Sequence, residues 1–197
     1  MGQYYKAVIQ REDGSFANYN TVNIVDKDGN NIGCYSLKLR EHSWIDNDLT
    51  SSVEEQIYEK PQRVAWVGDY FKKNDVNLWN DEHADKLPIE LPDIQKWPVD
   101  TITYTGFSVR DKFLVNHTKK QYIDIEAYLD EVDRDGWALD PLPILTALGN
   151  GRGGGDYHKN LPDYDKVGMW AWDVISIEDN APNDGDYEEL KVKFLDD

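Results

Sequence analysis

Cysteine is almost absent: Cys34 stands alone among 197 residues. A single thiol excludes an intramolecular disulfide and fits a reducing compartment. Set between Gly33 and Tyr35, it reads as a small strand residue and not as a nucleophile. Long apolar runs are missing too. None approaches the roughly 20 residues that span a bilayer. The opening, Met1-Gly2-Gln3-Tyr4-Tyr5-Lys6, has no apolar leader core. Gly2 opens no myristoylation signal, because Lys6 stands where Ser or Thr is required. Basic charge is scarce: 21 Lys and Arg face 38 Asp and Glu, a net charge of −17 and a pI near 4.5. Such a chain is repelled by nucleic acid and by anionic lipid and is drawn to basic surfaces. The expectation is a cytoplasmic protein that touches neither nucleic acid nor membrane directly and meets a basic protein partner.

The signatures of common chemistries are also lacking. No HxxxH, CxxC or DxDxDG spacing offers a metal site, and four His over the chain are near background. Ser43 follows His42 but sits in no Gly-x-Ser-x-Gly elbow. No catalytic residue, metal or cofactor is expected from these patterns. Asn116-His117-Thr118 fits a glycosylation acceptor by pattern alone and means nothing without a secretion signal.

What is present is a 40% hydrophobic fraction with seven Trp and twelve Tyr, enough for one aromatic-rich core. Residues 3–10, 21–26 and 33–39 read as strands, the first closed by a turn at Asp13-Gly14. A helix is expected over 48–59, with Thr50, Ser51 or Ser52 as cap and Glu54 or Glu55 in reach of a capping box. Residues 63–70 form a clear strand. Residues 75–100 hold Pro88, Pro92 and Pro98 among charges and have no sustained period, which marks a surface insertion. Strands follow at 102–109 and 112–116. Tyr122, Ile125, Leu129 and Val132 lie at offsets of 3, 7 and 10, one face of a helix whose outer face is acidic. A short helix over 141–148, a buried strand over 167–177, an acidic loop over 178–189 and an edge strand over 190–195 complete the chain. Strands, inserted helices and strands again give a single α+β domain over residues 1–197, a mostly antiparallel sheet with two or three helices.

Two features stand out as candidate surfaces. Five of the seven residues from Gly149 to Gly155 are glycine. That density serves a geometry a Cβ would forbid. Gly151, Arg152, Gly153, Gly154, Gly155 and Asp156 can present N–H groups and a guanidinium to a small anion. They can equally make a loop and nothing more. The run lacks the strand–loop–helix context of a dinucleotide site and the Gly-Lys-Ser/Thr of a P-loop. Asp69, Asp156, His158 and Asp173 are the polar groups that would support it if they converge. Asp69 and Asp156 each follow a glycine, so each can equally bond its own turn. The second feature is acidic: Asp124, Glu126, Asp130, Glu131, Asp133 and Asp135 on and after the predicted helix, then Glu178, Asp179, Asp184, Asp186, Glu188 and Glu189. Carboxylates on a rigid face can imitate the phosphate row of a duplex. They also simply solvate a surface.

Several segments together resemble a family of small proteins from bacteriophages and Gram-positive bacteria. They are Met1-Gly2-Gln3-Tyr4-Tyr5, the Leu-Lys-Leu-x-Glu-His-Ser-Trp segment at 37–44, the Val-x-Trp-x-Gly-Asp-Tyr strand end at 64–70, Asn-x-x-Lys-Lys-x-Tyr at 116–122, and Gly-Asn-Gly-Arg-Gly-Gly-Gly-Asp at 149–156 with the Gly-x-Trp at 168–170. The resemblance covers the scaffold but not 75–100 or the acidic tail. The family has no established activity, so no catalytic residue transfers. It implies a phage-type intracellular accessory protein, a kind that often counters host defence. The leading expectation is an acidic protein that acts by binding and mimics nucleic acid to inhibit a host defence nuclease, of anti-CRISPR or anti-restriction type. The alternative is binding or hydrolysis of a nucleotide-like anion at the Gly149–Asp156 loop. A third reading is an interaction protein with no ligand.

Overall fold

The computed structural model describes residues 2–19, 24–32, 37–71, 101–132 and 137–195. Cys34, the expected insertion at 75–100, Asp133 and Asp135 lie outside them. The described residues form an α+β domain with three helices and a mostly antiparallel, mixed eight-stranded sheet.

The sheet is organised around β4 (Gln62–Gly68), whose residues from Val64 onward are all buried. A central strand covered on both faces reads as a continuous apolar run, and Val64-Ala65-Trp66-Val67 is one. Along one edge β4 pairs antiparallel with β1 (Tyr5–Gln10), from Tyr5 opposite Gly68 to Gln10 opposite Arg63. β1 turns back through Asp13-Gly14 into β2 (Phe16–Tyr19). Gly14 sits at φ +82°, and Asp13 Oδ1 accepts from Ser15 N at 2.9 Å. The other edge of β4 is shared. Its start pairs antiparallel with β9 (Val174–Glu178), and its end pairs parallel with β8 (Ala147–Leu148). Beyond β9 come β6 (Phe113–Asn116), β7 (Gln121–Asp124) and the edge strand β10 (Glu188–Glu189), which runs parallel to β7. β3 (Ile24–Val25) and β5 (Ile102–Thr103) make a separate parallel pair.

Side chains alternate across β4. Val64 and Trp66 join the main core with Trp170, Ile175, Ile177, Tyr157 and Phe194. Ala65 and Val67 join a smaller cluster on the opposite face, with Val8, Leu148, Ala171 and Trp172. Phe16 stacks on Trp172 there, ring centroids 5.7 Å apart.

Several boundaries differ from expectation, each for a tertiary reason. Helix α1 (Asp48–Gln56) is capped by Asn47, whose side chain accepts from Leu49 N and Thr50 N, and not by Thr50, Ser51 or Ser52. Ser52 instead donates to Asp48 O at 2.6 Å. Helix α2 (Ile125–Val132) begins three residues after Tyr122, because Tyr122 to Asp124 are held in the ladder opposite Val115 to Phe113. Asp124 is therefore a strand end, and its Oδ1 accepts from Ala127 N at 3.0 Å. Helix α3 (Pro141–Leu145) stops short of Leu148 because Ala147 and Leu148 are drawn into β8. The expected strand at 167–177 forms only from Val174. The backbone before it coils through turns, with Trp172 at φ +65°. Residues 190–195 form no strand, and the edge position is taken by Glu188 and Glu189. Exposed glutamates suit an edge, where charge discourages pairing with another chain.

The α1 cap gives a direct check. Asn47→Ala should cost about 1 kcal/mol in urea unfolding, and Asn47→Ser should retain most of the stability.

Candidate functional site

β8 delivers the chain at the Gly68 end of β4, directly beside the N-terminal residues that precede β1. The loop that follows curls with Gly149, Gly151 and Gly155 all at positive φ, near +90°, +88° and +85°. That path aims three consecutive amides at one point, the carboxylate of Asp156, which is 1% exposed. Its Oδ2 accepts from Gly151 N at 2.7 Å, Arg152 N at 2.8 Å and Gly153 N at 2.9 Å. The Tyr5 hydroxyl donates to Oδ1 at 2.9 Å. Gln3 Nε2 lies 3.1 and 3.0 Å from the two oxygens and also reaches Gly149 O at 2.6 Å. The amide nest does hold an anion, and the anion belongs to the chain itself. Burial first, then the Asp156 charge, raise the Tyr5 phenol well above its ordinary value, so it remains a donor.

The glycines are explained by close approach. Gly2 and Gly154 form a parallel bridge, and Gln3 N donates to Gly154 O at 3.0 Å. A Cβ on Gly153 would stand 2.5 Å from Gln3 Cβ and 2.7 Å from Gln3 N. A Cβ on Gly68 would stand 2.7 Å from the Gln3 side chain, and one on Gly155 would overlap Lys38. Arg40 N donates to Gly155 O at 3.0 Å, and Asp69 exchanges bonds with Tyr4. Four separate segments, around residues 2–5, 37–44, 64–70 and 149–156, therefore meet in one place.

Arg152 faces the protein. Its Nη1 donates to Tyr70 O at 3.0 Å, and its guanidinium lies 5.4 Å from the centre of the Phe71 ring. Asp69 flanks the same end of β4. It bonds Tyr4 and not its own turn, unlike Asp156. Asp173 lies at the opposite end, where its carbonyl accepts from Val64 N and its Oδ2 accepts from Asn116 Nδ2 at 3.0 Å. Four residues of strand, on the order of 13 Å, separate Val64 from Gly68. His158 is exposed beyond the loop. Asp69 and Asp156 thus share a neighbourhood, and Asp173 does not join it. Among the described residues no group of three or more His, Cys, Asp or Glu is placed to hold a metal ion.

Sequence reasoning missed a second buried constellation. Glu54 on α1 and Asp140 at the start of α3 are each 1% exposed and in side-chain contact. Asp140 Oδ1 accepts from Leu142 N at 2.9 Å and caps α3, while Asp140 Oδ2 and Glu54 Oε2 have no partner. Burial pushes Glu54 well above the carboxylate range, and the Asp140 charge adds to this. Burial likewise pushes Asp140 up to about 7, opposed by the bonds from Leu142 and Glu54. Legible signals existed. Asp140 precedes Pro141, the ordinary place of a cap, and Glu54 sits within the apolar series Leu49, Val53, Ile57.

The acidic residues gather more closely than their spacing implied. Glu126, Asp130 and Glu131 are exposed on α2, and Asp124 is half-buried at its start. Because β10 lies against β7 and β7 runs straight into α2, Glu188 and Glu189 join the same surface. Asp124, Glu131, Glu189 and Lys191 line one shallow groove there. The bond to Glu189, with the nearby Glu131 and Asp124, raises Lys191 above its ordinary value. Glu178 and Asp179 are engaged internally: Ser176 donates to Glu178, while Lys112 and Tyr58 hold Asp179 at 2.9 and 2.7 Å. No helix among the described residues is long and apolar enough to cross a membrane.

Compared with known protein families, curated proteins and solved structures, the chain matches none.

The Asp156 anchor predicts an ordering of stability losses. Asp156→Ala leaves several buried donors without an acceptor and should cost about 3 kcal/mol or more in denaturant unfolding. Among the described contacts Arg152→Ala removes a bond to a carbonyl and a ring contact, none of them to a buried charge, so a smaller loss than for Asp156→Ala is expected. Equal losses would show that the carboxylate is not the centre of the loop.

Proposed function

We propose that the protein acts by binding, presenting the acidic surface of α2 and β10 to a basic protein partner. The observation that supports this most is the joining of two acidic stretches, far apart in sequence, across the β7–β10 pair. Glu126, Asp130, Glu131, Glu188 and Glu189 are exposed there on elements tied into one sheet edge. Carboxylates fixed on a helix and its neighbouring strand can occupy sites built for phosphates. The resemblance to small phage and Gram-positive bacterial proteins points the same way. An acidic accessory protein that fills the nucleic-acid groove of a host defence nuclease is the concrete form of this proposal. Lys191 tempers the charge at one point of the surface and leaves the outer carboxylates in solvent.

Binding of a nucleotide-like anion at residues 151–156 gains less support. The amides of Gly151, Arg152 and Gly153 are already directed to Asp156. An external phosphate would have to displace a buried carboxylate that also accepts from Tyr5.

Competition tests the proposal. The protein should displace fluorescent duplex DNA from a basic nuclease or repressor that is its partner, with an affinity that falls steeply as salt rises. Reversal of Glu126, Asp130 and Glu131 to Lys should abolish displacement while the far-ultraviolet circular dichroism is retained. Displacement that is insensitive to salt, or unchanged by the triple reversal, contradicts it.

A further inference from the structure

Glu54 and Asp140 are an uncommon feature for a core. Two carboxyl groups touch inside the protein, and one oxygen of each lacks a partner. Ionised, both are acceptors only, so neither can satisfy the other. A single proton changes this, turning one acid into a donor to its neighbour. Among the described residues no Lys or Arg pairs with either group. The ionisable groups that act on the pair are Asp46 before α1, itself paired with Arg110, and Tyr128 on α2. Asp46 raises both members of the pair further. Tyr128 is committed to Leu139 O at 2.7 Å, and the Thr50 and Ser51 hydroxyls on α1 are buried with no partner.

The pair also occupies a junction. Asp140 N donates to Ser43 O at 2.7 Å, Trp44 bridges to Leu139, and Ile45 N donates to Ala138 O at 3.0 Å. The segment leading to α1 is thereby laced to the segment leading to α3, and α3 runs on into β8 and the Gly-rich loop. We propose that Glu54 and Asp140 share one proton and act as a pH-sensitive clasp that joins α1 to the cap of α3 and loosens as the pH rises.

The direction follows from where the proton is held. In the unfolded chain both carboxyls release their protons near pH 4. The folded pair keeps one to higher pH. Its contribution to stability is full below about pH 4, where both states hold their protons, and declines as the pH climbs to neutrality and past it. Loss of the shared proton places two charges side by side in a dry site, the costliest arrangement for carboxylates.

Glu54→Gln tests this, because its amide donates to Asp140 at every pH. Thermal unfolding of the full chain and of this variant should be followed from about pH 4 to about pH 8. The melting temperatures should lie close together at the acid end and diverge upward, with the variant the more stable at the alkaline end. Parallel profiles overturn the proposal. If Glu54→Gln does not fold, Asp140→Asn serves equally, since its amide donates to Glu54 while its oxygen still caps α3. Carboxyl carbon resonances of the unmodified protein read the pair directly. Persistence of a protonated Glu54 at neutral pH is expected, and titration in the ordinary carboxylate range overturns the proposal.

Discussion

The Asp156 carboxylate organises the part of the molecule where distant segments meet. It accepts from three loop amides and a tyrosine and lies against the Gln3 amide, and it is itself buried, as are Gln3 and Tyr5. A buried charge survives only when its hydrogen-bonding capacity is filled. That requirement explains the rest of the local sequence. Glycines at 151 and 155 give the loop its left-handed turns. Glycines at 68 and 153 leave room for Gln3, and Tyr5 brings a hydroxyl from the start of β1. Removal of the charge would leave these choices without a purpose.

From that anchor the sheet extends to both sides of β4. β4 carries β1 and β2 on one side and divides the other between β8 and β9, so a two-residue strand suffices to tether the loop. The far end, through β6 and β7, is where charge accumulates. The parallel pairing of β10 with β7 turns an acidic loop and an acidic helix into one surface. The Asp156 anchor and the proposed binding surface are thus separate in space. Changes at the anchor should act on stability, and changes at the surface on association.

Much of the fold was legible because local and tertiary demands agreed. The apolar run of β4, the Asp13-Gly14 turn and the inward stripe of Ile125, Leu129 and Val132 each follow from periodicity or a required backbone angle. Boundaries failed where two patterns overlapped. Tyr122-Ile123-Asp124 satisfies the alternation of a strand as well as the helical stripe, and pairing with β6 decides between them. Residues 167–173 have strand composition, yet Trp172 N and O are claimed by Val64 and Arg63, which forces a left-handed turn. For the Gly-rich loop, the need for geometry without Cβ atoms was legible. Which anion it serves was not, because the answer depends on Gln3 and Tyr5, about 150 residues away in sequence. Glu54 and Asp140 escaped notice for the same reason, being unremarkable singly and consequential only as a pair.

Amide hydrogen exchange at Gly151, Arg152 and Gly153 tests the central claim most directly. If Asp156 fills the nest, these three amides should exchange slowly, with protection close to that of β4 residues, despite lying in a glycine-rich loop. Exchange at the rate of an open, solvated loop would contradict the account.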